Sequence, residues 1–166
     1  MATNRETRES STFLAWQSHF GVQMQVSRLR QSYARDEQGS GVQRVDASGL
    51  IVQLWRLRLA AVMSQRIDGS PTSVTPAIEA FDSANPGLAK LRHVTMHFDE
   101  YALETDSRRN KIGDPARLIE ARDLWDLRSE PDAFTWLEVR VDYPSVEIAA
   151  RALYDAIQGD NNSQLY

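Results

Sequence analysis

Apolar side chains recur at three- and four-residue intervals along most of this chain, which is the pattern of amphipathic helices. The first such stretch follows Ser10, Ser11 and Thr12, each of them a good N-terminal cap, and it runs to about Ala34. Its apolar positions are Phe13, Trp16, Phe20 and Met24, continued around the helix by Val26, Leu29 and Tyr33. We therefore predict a long first helix whose apolar side faces the core, as in most such helices.

A second amphipathic stretch predicts a second helix, after two glycines have interrupted the pattern at residues 36–41. It starts near Asp46 or Ser48 and reaches about Ile67. One face carries Leu50, Leu54, Leu57 and Ala61, flanked by Ile51, Trp55, Val62 and Met63. We expect this face to be buried.

Two proline-containing start signals predict two more helices, because proline is favoured at the first helical position. Thr75-Pro76 begins a short helix through Ile78 and Phe81. Asn85-Pro86 begins the next helix, which includes residues 91–103. Its buried side is expected to contain Leu88, Leu91, Met96 (or Val94), Phe98 and Tyr101.

In the last third of the chain, the spacing of apolar side chains changes to a period of two. Residues 135–142 alternate apolar with polar side chains, which is typical of a half-buried strand. Residues 118–127 supply a partner strand across a turn at 129–132, and a helix over 115–126 is the alternative. A final helix then starts at Pro144 and ends at Gly159, with Val146, Ala149, Leu153 and Ile157 on one face.

The complete pattern predicts a mainly α fold: an up-and-down helical bundle with a small C-terminal β-hairpin and a final helix. We expect one domain over residues 10–158, with the bundle in 10–105 and the hairpin and last helix in 115–158. Residues 1–9 and 159–166 are expected to be disordered tails.

Composition narrows the classes of function. An apolar fraction of 42% and a charged fraction of 25% are ordinary for a globular protein. The absence of cysteine excludes disulfides, thiolate nucleophiles and cysteine-ligated metals. We find neither a long apolar run nor a signal peptide, so we expect a cytoplasmic protein without a membrane partner. The net charge of −4 does not favour nucleic-acid binding, although a local basic cleft is sufficient for it.

The candidate chemistry lies in residues 92–97, which hold two of the three histidines. Histidine exchanges protons near neutral pH, and the arginine fork binds phosphate. His97 is therefore a candidate general acid or base, and Arg92 a candidate phosphate clamp, for attack by a ribose 2′-hydroxyl on its phosphate. His93 would orient one of them or the substrate. No cofactor is needed.

Helical geometry makes this pair incomplete, because residues five apart point about 140° away from each other. A two-fold dimer that brought two copies together would complete a cleft. Beside the motif, Arg108, Arg109 and Lys111 form a basic cluster. They are candidates for contacts with the substrate backbone, or else belong to a solvated loop.

Two other interpretations of the same residues remain open. His93 and His97 lie four apart on one helical face, with Glu100 three residues further on and Asp99 and Glu104 nearby, which suits a metal site. Alternatively, the residues are structural, and Arg92 pairs with Asp99. Our preferred set of site residues contains no metal ligand.

The motif consists of an arginine followed by a polar residue, three further residues and a histidine. In a compact helical bundle, this pattern resembles the HEPN superfamily. Arg92 and His97 match its arginine–histidine pair, and His93 takes the polar position, where asparagine or aspartate is more usual. The resemblance covers six residues, and its architecture extends over about residues 10–105. It implies a bundle that dimerises so that both motifs line one cleft.

The same resemblance implies a metal-independent endoribonuclease, often a toxin or a component of antiphage defence, with RNA as substrate and an antitoxin protein as partner. This is our leading hypothesis. The alternative is a non-catalytic helical bundle that binds RNA or a protein through the same surface.

Overall fold

The structure is a computed structural model that describes residues 3–35, 41–67, 73–98, 101, 119 and 121–162. Its elements, in chain order, are α1 (Asn4–Ala34), α2 (Gly41–Gln65), α3 (Val74–Ala84), α4 (Leu88–Met96), a 3₁₀ helix (Ala121–Trp125), β1 (Leu127–Glu130), β2 (Ala133–Trp136), β3 (Val139–Asp142) and α5 (Tyr143–Asn162). The fold is mainly helical with a small antiparallel sheet and a final helix, which confirms the predicted class. None of the described helices is long and apolar enough to cross a membrane.

Helix α1 begins earlier than its predicted caps. Thr3 and Glu6 form a capping box, in which the Thr3 side chain accepts from the Glu6 N–H and the Glu6 carboxylate accepts from the Thr3 N–H. Residues 4–9, which we expected in a disordered tail, therefore form the first turns of α1.

The predicted apolar stripe of α1 is only partly buried: Val26 and Leu29 are fully buried, whereas its four largest members face solvent. Phe13, Trp16, Phe20 and Met24 are 62%, 55%, 59% and 43% exposed. The buried side instead consists of small and polar residues with a few aliphatic ones: Ser11, Ala15, Ser18, His19, Gly21, Val22, Val26, Leu29 and Ser32. Small side chains are needed where α1 packs closely against α2, and α1 also contacts α5.

Helix α2 forms the centre of the bundle, and its predicted face is confirmed. Leu50, Leu54, Leu57 and Ala61 are all fully buried. Gly21 of α1 lies against Gln53, and Gly49 of α2 lies against Gln25, so the two helices run antiparallel with glycines where they approach closely. A Cβ on Gly21 would lie 2.7 Å from the Gln53 side chain.

Helix α4 is shorter than predicted. Leu88, Leu91, Val94 and Tyr101 are buried, so Val94 and not Met96 fills the third core position. Met96 is 55% exposed. The helix ends at Met96, and the backbone N–H of His97 closes it by donating to the carbonyls of His93 and Val94. His97 is therefore the C-cap of α4 and does not lie inside a longer helix.

The sheet has the order β1-β2-β3, with both pairs antiparallel. The run that we predicted as one strand over 135–142 is divided by a two-residue turn, in which Leu137 and Glu138 have φ values of 52° and 64°. Lys90 of α4 donates from Nζ to the Leu137 carbonyl at 3.0 Å and holds this turn against the bundle. The partner strand lies at 127–130, after the 3₁₀ helix, and not at 118–127.

Helix α5 buries Val146, Leu153 and Ile157 as predicted, with Ala150 in place of Ala149. It continues past Gly159 to Asn162, so residues 159–162 belong to the helix and not to a tail. Arg30 of α1 ties this region to the bundle. Its guanidinium binds the carboxylates of Asp132 and Glu147, each at 3.1 Å.

Candidate functional site

The two histidines of the motif lie in contact at the C-terminal end of α4. The ring centroids of His93 and His97 are 4.7 Å apart, with 38° between the planes. Tyr101, which is 2% exposed, meets the His93 ring edge-on at 6.2 Å. Both histidines are half-buried, and the Nε2 atom of His93 is buried. His97 is therefore the better placed of the two to meet a substrate, with His93 behind it.

Arg92 lies against the neighbouring helix. Its guanidinium carbon is 5.2 Å from the centroid of the Trp55 ring, which is a cation–π contact. Arg58 meets the same ring at 5.6 Å, but its fork is occupied by the Asp82 carboxylate at 2.6 and 2.7 Å. Arg92 makes no ion pair with any carboxylate among the residues that the structure describes. Within the described ranges, no carboxylate competes with an anion for its N–H donors.

The structure does not gather the three motif residues into one cluster. Trp55 belongs to α2, so Arg92 points toward that helix. His93 and His97 follow α4 along a different flank, since separations of one and five residues from Arg92 correspond to about 100° and 140° of rotation. Lys90, which shares that flank, reaches the turn between β2 and β3. The motif consists of a histidine pair and a separately placed arginine.

Several predicted residues lie outside the described part of the chain. These are the basic cluster of Arg108, Arg109 and Lys111, and the carboxylates Asp99, Glu100 and Glu104 of the metal alternative. Within the ranges that are described, no group of three or more histidine, aspartate and glutamate residues is placed to hold a metal ion. The basic cluster and its phosphate contacts stay a prediction.

A pocket beside the motif was not anticipated from the sequence. It has a volume of about 360 Å³ and is lined by Arg44 and Ser48 of α2, by Phe98, and by Trp125 and Trp136, among others. The Arg44 guanidinium lies 4.9 Å from the Trp125 ring centroid, and Phe98 meets that ring edge-on at 5.4 Å. Trp125 is 52% exposed.

Arg44 has an unusual environment in this pocket. Its Nε atom is buried and has no hydrogen-bond partner within the described ranges. A buried N–H without an acceptor is unfavourable by roughly 1–3 kcal/mol, so a ligand that supplied an acceptor would be stabilised here. Arg44 and Trp125 are far apart in sequence, and no local pattern links them.

The remaining buried charged and histidine residues are structural. Asp46 faces α1, where Arg28 Nε lies 3.0 Å from its carboxylate. Burial raises the pKa of Asp46, and Arg28 opposes the rise. His19, the third histidine, stacks on Tyr154 of α5 with ring centroids 4.6 Å apart. Neither residue belongs to the surface that carries His97.

Comparisons with protein-family models, with curated proteins and with solved structures find no match for this chain.

Proposed function

We propose that this chain is a metal-independent endoribonuclease in which His97 transfers protons and Arg92 binds the phosphate. The observation that carries the proposal is the contact between His93 and His97 at the end of α4, on the same helix as an arginine that no described carboxylate neutralises. The arginine–histidine spacing resembles that of the HEPN superfamily, and the mainly helical fold is compatible with it.

The proposed reaction is a transesterification within the RNA strand. The ribose 2′ oxygen forms a bond to phosphorus, the bond to the 5′ oxygen breaks, and a 2′,3′-cyclic phosphate results. The proton that leaves the 2′-hydroxyl passes to His97, and the departing 5′ oxygen takes a proton from a water molecule. Arg92 stabilises the charge on the non-bridging oxygens. His93 has a positioning role, since its ring packs on His97 and its Nε2 is buried.

Because Arg92 and His97 leave α4 on different flanks, we propose that the RNA strand crosses the C-terminal end of this helix. Arginine has a long, flexible side chain, and a phosphate at the helix end lies within reach of it. The cleft shared by two copies, which the HEPN resemblance implies, is a separate proposal. A toxin or antiphage role in the cytoplasm, with an antitoxin partner, rests on that resemblance as well.

The test is cleavage of total RNA by the purified protein in excess chelator, beside Arg92→Ala and His97→Ala. Each variant is expected to lose cleavage by roughly 100-fold or more, the usual contribution of a proton-transfer group. His93→Ala is expected to lose less, because it acts through His97. Arg66→Ala is the matched control, since Arg66 is exposed at the end of α2.

Two outcomes contradict the proposal. One is a folded wild-type protein that cleaves none of a broad set of RNAs. The other is cleavage that persists in His97→Ala or that disappears on chelation and returns with a metal ion. Circular dichroism of each variant separates lost chemistry from lost folding.

A second candidate is a protein that binds RNA without cleaving it, and the pocket beside Phe98 favours it. An exposed tryptophan stacked with an arginine is a platform on which a base can lie. Binding of a short single-stranded RNA, followed by tryptophan fluorescence, tests this function. Trp125→Ala is expected to weaken binding roughly 5- to 100-fold, given the usual stacking contribution per base. Binding without cleavage by the wild type favours this candidate over the nuclease.

A further inference from the structure

Helix α1 presents a line of large apolar side chains to solvent. Phe13, Trp16, Phe20 and Met24, here called the aromatic ridge, are between 43% and 62% exposed. Neighbouring rings contact each other, with centroids 6.1 Å apart for Phe13 and Trp16 and 6.4 Å apart for Trp16 and Phe20. From Phe13 to Met24 the ridge is about 16 Å long at 1.5 Å per residue. Single exposed apolar residues are common, but a continuous line of this kind marks an interaction site.

The ridge lies in a part of α1 that has no charged side chain. Residues 10–27 contain no aspartate, glutamate, lysine or arginine. The exposed positions beside the ridge are neutral, as at Gln17 and Gln23. Loss of charge together with enrichment in aromatic residues and methionine is the composition of a protein–protein interface core. An ordinary solvent-facing helix surface is rich in charges instead.

The ridge cannot turn inward within its own chain. The inner side of α1 fits small residues, because Gly21 lies against Gln53 and Ala15, Val22 and Val26 are fully buried. Rotating α1 to bury Phe20 would place a ring where only a hydrogen atom fits. The ridge therefore needs a cover from outside the described chain.

We propose that two copies of this chain pair through their aromatic ridges, with the two α1 helices antiparallel across a two-fold axis. In a two-fold symmetric interface, the same patch of both copies meets, so a charged patch would face an identical charge and be repelled. The neutral ridge has no such repulsion. A membrane surface is a poorer fit, since helices that lie on membranes carry lysine and arginine on their polar face.

The available area suits a dimer. Three aromatic side chains of about 150–250 Å², a little over half exposed, together with Met24, give roughly 400 Å² of apolar surface per copy. A specific interface buries about 800 Å² per partner, so neighbouring surface must contribute. Helix α2 provides it beside the ridge, where Arg56 donates to the Gln17 side chain at 2.8 Å.

This pairing does not depend on the ribonuclease proposal, and it differs from a shared cleft. Gln53 of α2 faces α1 and Trp55 faces α4, and residues two apart on a helix point about 160° away from each other. Helices α1 and α4 thus lie on opposite sides of α2. A dimer built on α1 keeps the two His97 residues apart.

The experiment is light scattering of the full chain after size-exclusion chromatography at micromolar concentration. We expect the wild type to have twice the mass of the 18.8-kDa chain. Phe20→Glu and Trp16→Glu are each expected to run as monomers with unchanged circular dichroism, because each places two like charges and two cavities in one interface. The dissociation constant should rise by roughly 100-fold or more. Ile148→Glu, on an exposed apolar residue of α5, is the matched control and should stay dimeric.

A wild type that is monomeric at about 100 μM contradicts the pairing, because its free energy of association would then be less than about 6 kcal/mol. A dimer that survives both glutamate substitutions contradicts the assignment to the ridge. Ridge-dependent binding of a monomeric wild type to anionic vesicles would assign the surface to a membrane and also overturn the proposal.

Discussion

Helices α1 and α5 have similar apolar patterns in the sequence and opposite outcomes in the structure. Helix α5 buries the residues of its stripe, including Leu153 and Ile157, both fully. Helix α1 exposes the larger part of its stripe and buries Ser11, Ala15 and Ser18 instead. An apolar stripe therefore indicates which side of a helix avoids water, and it does not identify what covers that side.

The difference follows from the position of each helix. Helix α1 packs closely against α2, where Gly21 and Gly49 lie at the points of approach, so this side of α1 accepts only small residues. Large rings are left for the outer side. Helix α5 packs against α1, α2 and α3, and aliphatic side chains fill the space among them.

The strongest test of this contrast is to truncate one residue from each stripe. Leu153→Ala is expected to lower the free energy of unfolding by about 2–5 kcal/mol, because it leaves a cavity. Trp16→Ala should change it by less than about 1 kcal/mol when measured by urea denaturation at a concentration where the chain is monomeric. Equal losses would show that the ridge is covered within the chain.

A smaller effect of opposite sign is expected on the inner face of α1. Ser18 is fully buried, and its hydroxyl has no hydrogen-bond partner in the ranges that the structure describes. Ser18→Ala should raise the free energy of unfolding by about 1 kcal/mol, because it removes a desolvated polar group and favours the helix. Ser10→Ala, at an exposed position of the same helix, is the control. A loss of stability would mean that the hydroxyl is satisfied.

The smallest effect is expected where α1 meets α5, and only at acid pH. Burial lowers the pKa of His19 below its ordinary 6.5, the nearby Arg151 lowers it further, and Asp155 opposes both. The folded state therefore binds the proton less tightly than the unfolded state does. The contribution of neutral His19 to the free energy of unfolding is fully present above pH 6.5. It is lost as the pH falls through the lowered pKa of His19.

His19→Gln should remove part of this decline, which denaturation at pH 7 and pH 5 measures. The same slope in the variant and the wild type would assign the decline to other groups.

Much of the fold follows from periodicity. The faces of α2 and α5 have neighbours that accept ordinary aliphatic residues, and there the spacing alone identified Leu54, Leu57 and Leu153 as core. The turn between β2 and β3 lacks the glycine or asparagine that usually marks two residues with positive φ. The alternation around Leu137 and Glu138 was therefore interpreted as one strand.

The candidate site was predictable to a similar degree. The rings of His93 and His97 meet, as their spacing of four residues suggests, although His97 caps α4 and does not lie within the helix. The partner of Arg92 was not predictable, because Trp55 lies on another helix and long-range pairs leave no local pattern. The same holds for Arg44 and Trp125, whose contact depends on how the last third of the chain docks.

Arg30 has a consequence for the order of folding. Its partners Asp132 and Glu147 lie 102 and 117 residues later in the chain. During synthesis, α1 and α2 are complete long before those carboxylates emerge, and the two helices can pair at once as a local hairpin. The sheet and α5 then dock onto a surface that already exists, and Arg30 is one of the residues that join both of them to α1.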